Sequence, residues 1–90
     1  MDIDSIDRSE AEIVAAARRV LPGGSFGNMP AEVVLKQGKG GRIWDESGRE
    51  YVDYLLGSGP MFIGHAHPAV TEAVEAQVRL GTTFFANNRH

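Results

Sequence analysis

The stretch from Leu55 to Pro68, reading Leu-Leu-Gly-Ser-Gly-Pro-Met-Phe-Ile-Gly-His-Ala-His-Pro, places the strongest limit on how this 90-residue chain folds. Glycines at 57, 59 and 64 remove side chains where backbone would otherwise be shielded, and Pro60 stiffens the segment between them. Two readings fit that spacing. The run lines a pocket, or it is a buried connector whose glycines only permit tight turns. Pro68 suits the first position of a helix, where its missing amide hydrogen costs nothing, and His67 then occupies the cap.

Upstream, residues 1–8 carry three aspartates and little apolar character, and read as a loose acidic leader. Ser9-Glu10-Ala11-Glu12 has the spacing of a capping box and opens a helix over 9–21. Its apolar stripe is Ile13, Ala16, Ala17, Val20 and Leu21, with Glu12, Arg18 and Arg19 off it. Pro22-Gly23-Gly24 stops that helix. Ser25 to Pro30 has no period and reads as loop; it lacks the preceding strand and the Gly-Lys-Ser/Thr ending of a phosphate cradle.

Val33–Lys36, Arg42–Asp45 and Glu50–Tyr54 are three β-favouring runs separated by the turns Gly38–Gly41 and Asp45–Gly48, a meander with Trp44, Tyr51 and Val52 available for cross-strand packing. A second helix is expected over Pro68–Leu80, with Val70, Ala73, Val74 and Val78 as its inward stripe. Glu75 and Arg79 are spaced as a favourable pair, and Gly81 as a left-handed terminator. The segment is therefore α+β: helix, three-stranded antiparallel meander, glycine-rich run, helix.

A chain of this length makes at most one small domain and buries only about 60 to 65% of its unfolded surface, so independent stability is marginal. The net charge of -3 and the scattered arginines give no basic stripe for a nucleic-acid backbone. Absence of cysteine removes disulfides and thiolate zinc sites. The start is acidic, without the basic and apolar regions of a signal peptide, and no apolar run reaches the ~20 residues a membrane helix needs. A cytoplasmic protein with neither nucleic-acid nor membrane partners is expected.

Gly57 to Pro68 resembles a segment of the class III pyridoxal-phosphate-dependent aminotransferases, especially the branch near glutamate-1-semialdehyde 2,1-aminomutase. Pro22-Gly23-Gly24, Lys39–Asp45, Gly48–Tyr54 and Gly81-Thr82-Thr83 follow in the order that family shows, so the likeness covers roughly residues 15 to 90. Family members are several times longer, and this chain is similar to their N-terminal segment, an incomplete domain over 9–90. The resemblance implies an α/β complete protein of the fold type I transferases, a homodimer that uses pyridoxal 5'-phosphate to move an amino group between an amine or amino acid and a carbonyl acceptor. It also implies that this segment contributes substrate-pocket wall and dimer contact, with Ser58 and Gly59 and then Phe85 and Ala86 as substrate-side residues. Aminomutase relatives carry tryptophan at the position of Ser58, and Asn-Ser-Pro where Phe26-Gly27-Asn28 stands here. The first departure opens the pocket to a bulkier amine; the second departs from the aminomutase pattern. Aminomutation is the alternative reaction.

Cofactor chemistry of this kind needs a lysine to carry the cofactor, and only Lys36 and Lys39 exist, both beside a glycine turn where an ammonium stays solvated. Neither is assigned that role. No catalytic, cofactor-binding or metal-ligating residue is assigned within the 90 residues, and the segment alone is expected to be inactive. His65-Ala66-His67 has zinc-compatible spacing on a strand but no evident third ligand; His67 reads as a helix cap and His65 as held by backbone groups at the turn. Asp45 and Asp53 read as turn and strand-edge residues. A rival reading makes the fragment a non-catalytic interaction module acting through helix 9–21 and the aromatic ribbon.

Overall fold

The computed structural model describes residues 8–24 and 32–87. The leader before Arg8 and the loop Ser25 to Pro30 lie outside the described residues. The elements are helix α1 (Glu10–Val20), strands β1 (Leu35–Lys39), β2 (Arg42–Asp45) and β3 (Glu50–Val52), and helix α2 (Pro68–Leu80), with single 3-10 turns at Pro22–Gly24 and Leu56–Ser58.

Helix α1 starts as its first residues dictate. The Glu12 amide donates to Ser9 Oγ at 3.3 Å, and Glu12 Oε2 accepts from the Ser9 amide at 2.8 Å. Both halves of the capping box are therefore made, and the Ser9 amide draws the Glu12 carboxyl below its ordinary value. At the other end the Leu21 amide still bonds the Ala17 carbonyl, after which Gly23 and Gly24 take φ of 69° and 76° and turn the chain away.

The buried face of α1 differs from the apolar stripe. Val14 and Glu10 are its buried residues, whereas Val20 is 76% exposed. The face is rotated because the Glu10 carboxylate serves as an anchor. Its Oε2 accepts from the Val34 amide at 3.1 Å, and its Oε1 accepts from Ser47 Oγ at 3.1 Å and Arg49 Nη2 at 2.9 Å. A carboxylate fully supplied with donors costs little to bury, so hydropathy alone misplaces it.

The sheet is the expected antiparallel meander in the order β1-β2-β3. Its first strand lies later than the β-favouring run, at Leu35–Lys39 rather than 33–36, with an irregularity between Leu35 and Gln37. The reversal is thereby compressed to Gly40-Gly41, where Gly40 takes φ of 57°. Trp44 stands opposite Gln37 and Glu50, and Tyr51 opposite Ile43. Strand β3 ends at Val52, two residues short of the expected Tyr54, because Asp53 redirects the chain. The second turn closes with the Gly48 amide on the Asp45 carbonyl at 3.0 Å.

Helix α2 has the expected bounds, with Pro68 in its first turn and His67 Nδ1 accepting from the Ala69 amide at 3.2 Å. Gly81 ends the helix at the positive φ of 103° that favours glycine, with a ψ of 153° that differs from the compact left-handed cap. Glu75 and Arg79 are not among the ion pairs of the described residues. The valine stripe also departs from expectation. Val70, Val74 and Val78 are all roughly half exposed, and no residue of α2 is buried.

That exposure is general. Among the described residues Val14 is the one buried hydrophobic side chain. The chain exposes 7809 Å², whereas a compact monomer of 9.7 kDa exposes about 5,100 Å². Its radius of gyration of 16.4 Å likewise exceeds the ~12 Å of a compact 90-residue domain. Helix α1 and the sheet hold one another by hydrogen bonds and ion pairs, not by a shared interior, and among the described residues α2 makes no such bond to either.

Candidate functional site: a fastened glycine run

Beyond β3 the chain enters the glycine run through one carboxylate. Asp53 Oδ1 accepts from the amides of Leu55 and Leu56 at 3.0 and 2.9 Å, the local turn that an aspartate side chain makes with amides two and three residues on. Its other oxygen, Oδ2, meets His65 Nε2 at 2.5 Å. The hydrogen bond from His65, then that from the Leu56 amide, hold the Asp53 carboxyl below its usual range against the opposing effect of burial. Asp53 is therefore ionised at neutral pH and only accepts, so Nε2 of His65 carries the proton.

From Leu56 to Ala66 the backbone repeatedly enters the left-handed region. Gly57, Gly59 and Gly64 do so at φ of 67°, 117° and 89°, and the non-glycine residues Leu56, Ser58 and Ala66 at 52°, 65° and 51°. Among the described residues these are the non-glycine positions with positive φ, and such a conformation costs roughly 1–2 kcal/mol for a side-chain-bearing residue. Amides of Ser58 and Met61 bond the carbonyls of Leu55 and Leu56 at 3.0 Å each, closing the loop on itself.

The far end is fastened to the β1–β2 hairpin. Gly40 and His65 exchange two backbone hydrogen bonds of 2.9 Å. A Cβ on Gly38 would lie 2.6 Å from His65 Cγ, and one on Gly64 would lie 3.0 Å from the backbone of Gly40. The imidazole thus rests on a position with no side chain.

A second polar cluster ties the same hairpin to α1. Asp45, 1% exposed, accepts from the Arg49 amide and Nε at 2.8 Å each and from the Tyr51 hydroxyl at 2.7 Å. Burial pushes its carboxyl up, but the Tyr51 and Arg49 donors outweigh this and leave it lowered; Asp45 in return raises both Arg49 and Tyr51. These groups are saturated by one another and serve as structure.

One groove, of about 460 Å³, lies between the run and α2, bordered by Pro60, Met61, Ile63, Val70, Thr71 and Val74. The run therefore does border a cleft. Ser58 and Gly59 sit on the exposed tip just before this lining, and Phe85 and Ala86 lie exposed beyond Gly81. None of the four lines that groove. Sequence reasoning missed Asp53 as a fastening; its signal was an aspartate directly after a strand and two residues before consecutive backbone amides. His65 is held by backbone groups as expected and, in addition, by that carboxylate. Among the described residues no three His, Asp or Glu side chains gather as a metal site would require.

The sequence pattern of the family described as aminotransferase class-III matches residues 25–88. The chain belongs to the class III aminotransferase family. The glutamate-1-semialdehyde 2,1-aminomutase of Chloroflexus aurantiacus is 43% identical over 88 residues, which are 88% of this chain and 19% of the relative. The chain thus spans about a fifth of the length of the curated relatives it matches. An omega-transaminase from Sphaerobacter thermophilus superposes with a TM-score of 0.75 at 30% identity, over 94% of this chain and 20% of that one. A transaminase described with PLP bound superposes at 0.74 and 36% identity, over 87% of this chain and 19% of its own.

The described residues of this class III aminotransferase chain do not fit pyridoxal phosphate by themselves. Lys36 is 62% exposed with its ammonium 3.7 Å from Glu46, and Lys39 lies exposed at the hairpin end. A lysine that carries the cofactor benefits from a desolvated amine, and neither position offers one.

Proposed function

We propose that this chain is the N-terminal part of a pyridoxal-phosphate-dependent aminotransferase, which moves an amino group between an amine or amino acid and a carbonyl acceptor. The observation that carries this reading is the superposition of nearly the whole chain, helix, meander, glycine run and helix, on solved transaminases. Cofactor and catalytic groups then belong to other parts of the protein, consistent with the exposed, ion-paired setting of the lysines here. This segment serves as wall and contact surface. The half-exposed valines of α2 supply apolar area for packing against the rest of the enzyme and a second subunit. In this reading Ser58, Gly59, Phe85 and Ala86 face the substrate, residues 9–90 form one incomplete domain, and the enzyme is a cytoplasmic homodimer. The net charge of -3 favours neither nucleic acid nor anionic membrane, and no helix of the described residues is long and apolar enough to cross a membrane.

The test uses the complete protein. Expected are visible absorbance of bound pyridoxal phosphate after purification and amino transfer from an amine donor to a carbonyl acceptor; a protein with neither overturns the reading. Ser58→Trp should narrow the donor range toward small amines, and an unchanged profile across large and small donors overturns the placement of Ser58 on the wall.

Aminomutation is the second reading, favoured by the names of the curated relatives, which are glutamate-1-semialdehyde 2,1-aminomutases at 39 to 43% identity over most of this chain. Migration within one substrate needs no separate acceptor. Product formed from glutamate-1-semialdehyde without an added carbonyl acceptor decides for it.

A further inference from the structure

We propose that Asp53 and His65 act together as a latch that sets the shape of residues 55–65, making Asp53 a positioning residue for substrate discrimination; this rests on the reading of the run as substrate wall. One carboxylate controls both ends of the loop. Its Oδ1 holds the entry through the Leu55 and Leu56 amides, and its Oδ2 holds the exit through His65 Nε2. The two ends are 10 residues apart in sequence, and His65 is itself fixed by its paired backbone bonds to Gly40 and by its ring lying on Gly38.

The left-handed residues explain why a latch is needed. Leu56 and Ser58, both bearing side chains at positive φ, lie directly behind the entry anchor, and Ala66 directly behind the exit anchor. Strained backbone persists only where its surroundings over-determine it. Charge-assisted hydrogen bonds to an ionised carboxylate supply that constraint, and they leave the tip around Ser58 and Gly59 in one conformation. A wall held in one conformation discriminates between substrates; a loose one accommodates both large and small.

The decisive property is transmission from one end to the other. In the complete protein, His65→Ala removes the exit anchor alone, and hydrogen exchange of the Leu55 and Leu56 amides is expected to accelerate about tenfold or more, as loss of a charged partner does. His65→Gln, whose amide nitrogen can still reach Asp53, should restore exchange to within about threefold of the unmodified protein. Asp53→Asn, a mild change that keeps an acceptor for the Leu55 and Leu56 amides, covers the case in which His65→Ala does not fold; it should loosen the exit amides of Gly40 and His65. Unchanged exchange at the distant end in both His65→Ala and Asp53→Asn overturns the latch.

Exchange needs no turnover, so it is read separately from the aminotransferase assignment. In a protein that transfers amino groups, the ratio of kcat/KM for large against small amine donors should fall toward one by about tenfold in His65→Ala and recover in His65→Gln. Accelerated exchange with an unchanged ratio overturns the positioning role. Absence of amino transfer in the unmodified protein overturns the proposed function, while exchange still decides the latch.

Discussion

Gly38→Ala offers a quantitative check on the fastening of the glycine run, because a single methyl group meets it head-on. The added Cβ would lie 2.6 Å from His65 Cγ and 2.9 Å from its Cβ and Cδ2. Carbon atoms settle at about 3.5–4.0 Å, so roughly 1 Å must be found. The contacts are with the base of the side chain, which a ring rotation does not move away, and the His65 backbone is pinned to Gly40. Such overpacking costs about 1–3 kcal/mol. Against it stands the reduced freedom of the unfolded chain, worth about 0.4–1 kcal/mol where the backbone conformation suits alanine. A net loss near 1–2 kcal/mol follows. Gly41→Ala, with open space at its Cβ and ordinary φ, keeps the gain without the clash, and Gly40→Ala, at φ 57° in open space, isolates the backbone cost at about 1–2 kcal/mol. Urea denaturation of the complete protein at fixed cofactor concentration should rank Gly41→Ala above the unmodified protein and Gly38→Ala below it. Adding Gly38→Ala to His65→Ala should cost less than Gly38→Ala alone, since the contacts with Cγ and Cδ2 are gone and only the 2.9 Å approach to Cβ remains. Equal midpoints for Gly38→Ala and Gly41→Ala would refute the contact.

Ser9→Ala should remove the side-chain half of the capping box, the acceptor for the Glu12 amide, and cost about 1 kcal/mol, seen as a lower urea midpoint that Ser9→Asp recovers. Glu10→Ala should cost about 1–2 kcal/mol, because it unpairs the Val34 amide and Ser47 while the mostly exposed Arg49 finds water; a loss no larger than that of Glu12→Ala would contradict its role as anchor. Acid should destabilise the fold through Asp45 and Asp53. Both have folded pKa values below the unfolded ~3.9, so their contribution is complete above about pH 4 and is lost as pH falls through the lowered values. Stability followed from pH 6 down to pH 2 should show that loss, and Asp53→Asn should shrink it.

Local chemistry was legible wherever cause and effect lie within one turn. The Ser9 box, the His67-Pro68 start of α2, the Gly48 turn and the second strand follow from residues at short spacing. The burial of Glu10 was not legible, because the donors that satisfy its carboxylate come from positions 34, 47 and 49. The first strand slid forward because Gly38, a poor strand residue by propensity, is the place where the His65 ring lies. The stripe on α2 was rightly apolar, but nothing within the described residues covers it. In the candidate site, glycine positions announced an irregular run, whereas Leu56, Ser58 and Ala66 in left-handed geometry contradict propensity and are visible only in three dimensions. The Asp53–His65 pairing spans 12 residues, beyond any local rule.

Because the fasteners stand outside the tip, Pro60 to Ile63 form a replaceable panel in a fixed frame. Random libraries confined to those four codons would vary the chemistry bordering the groove while the frame keeps its outline.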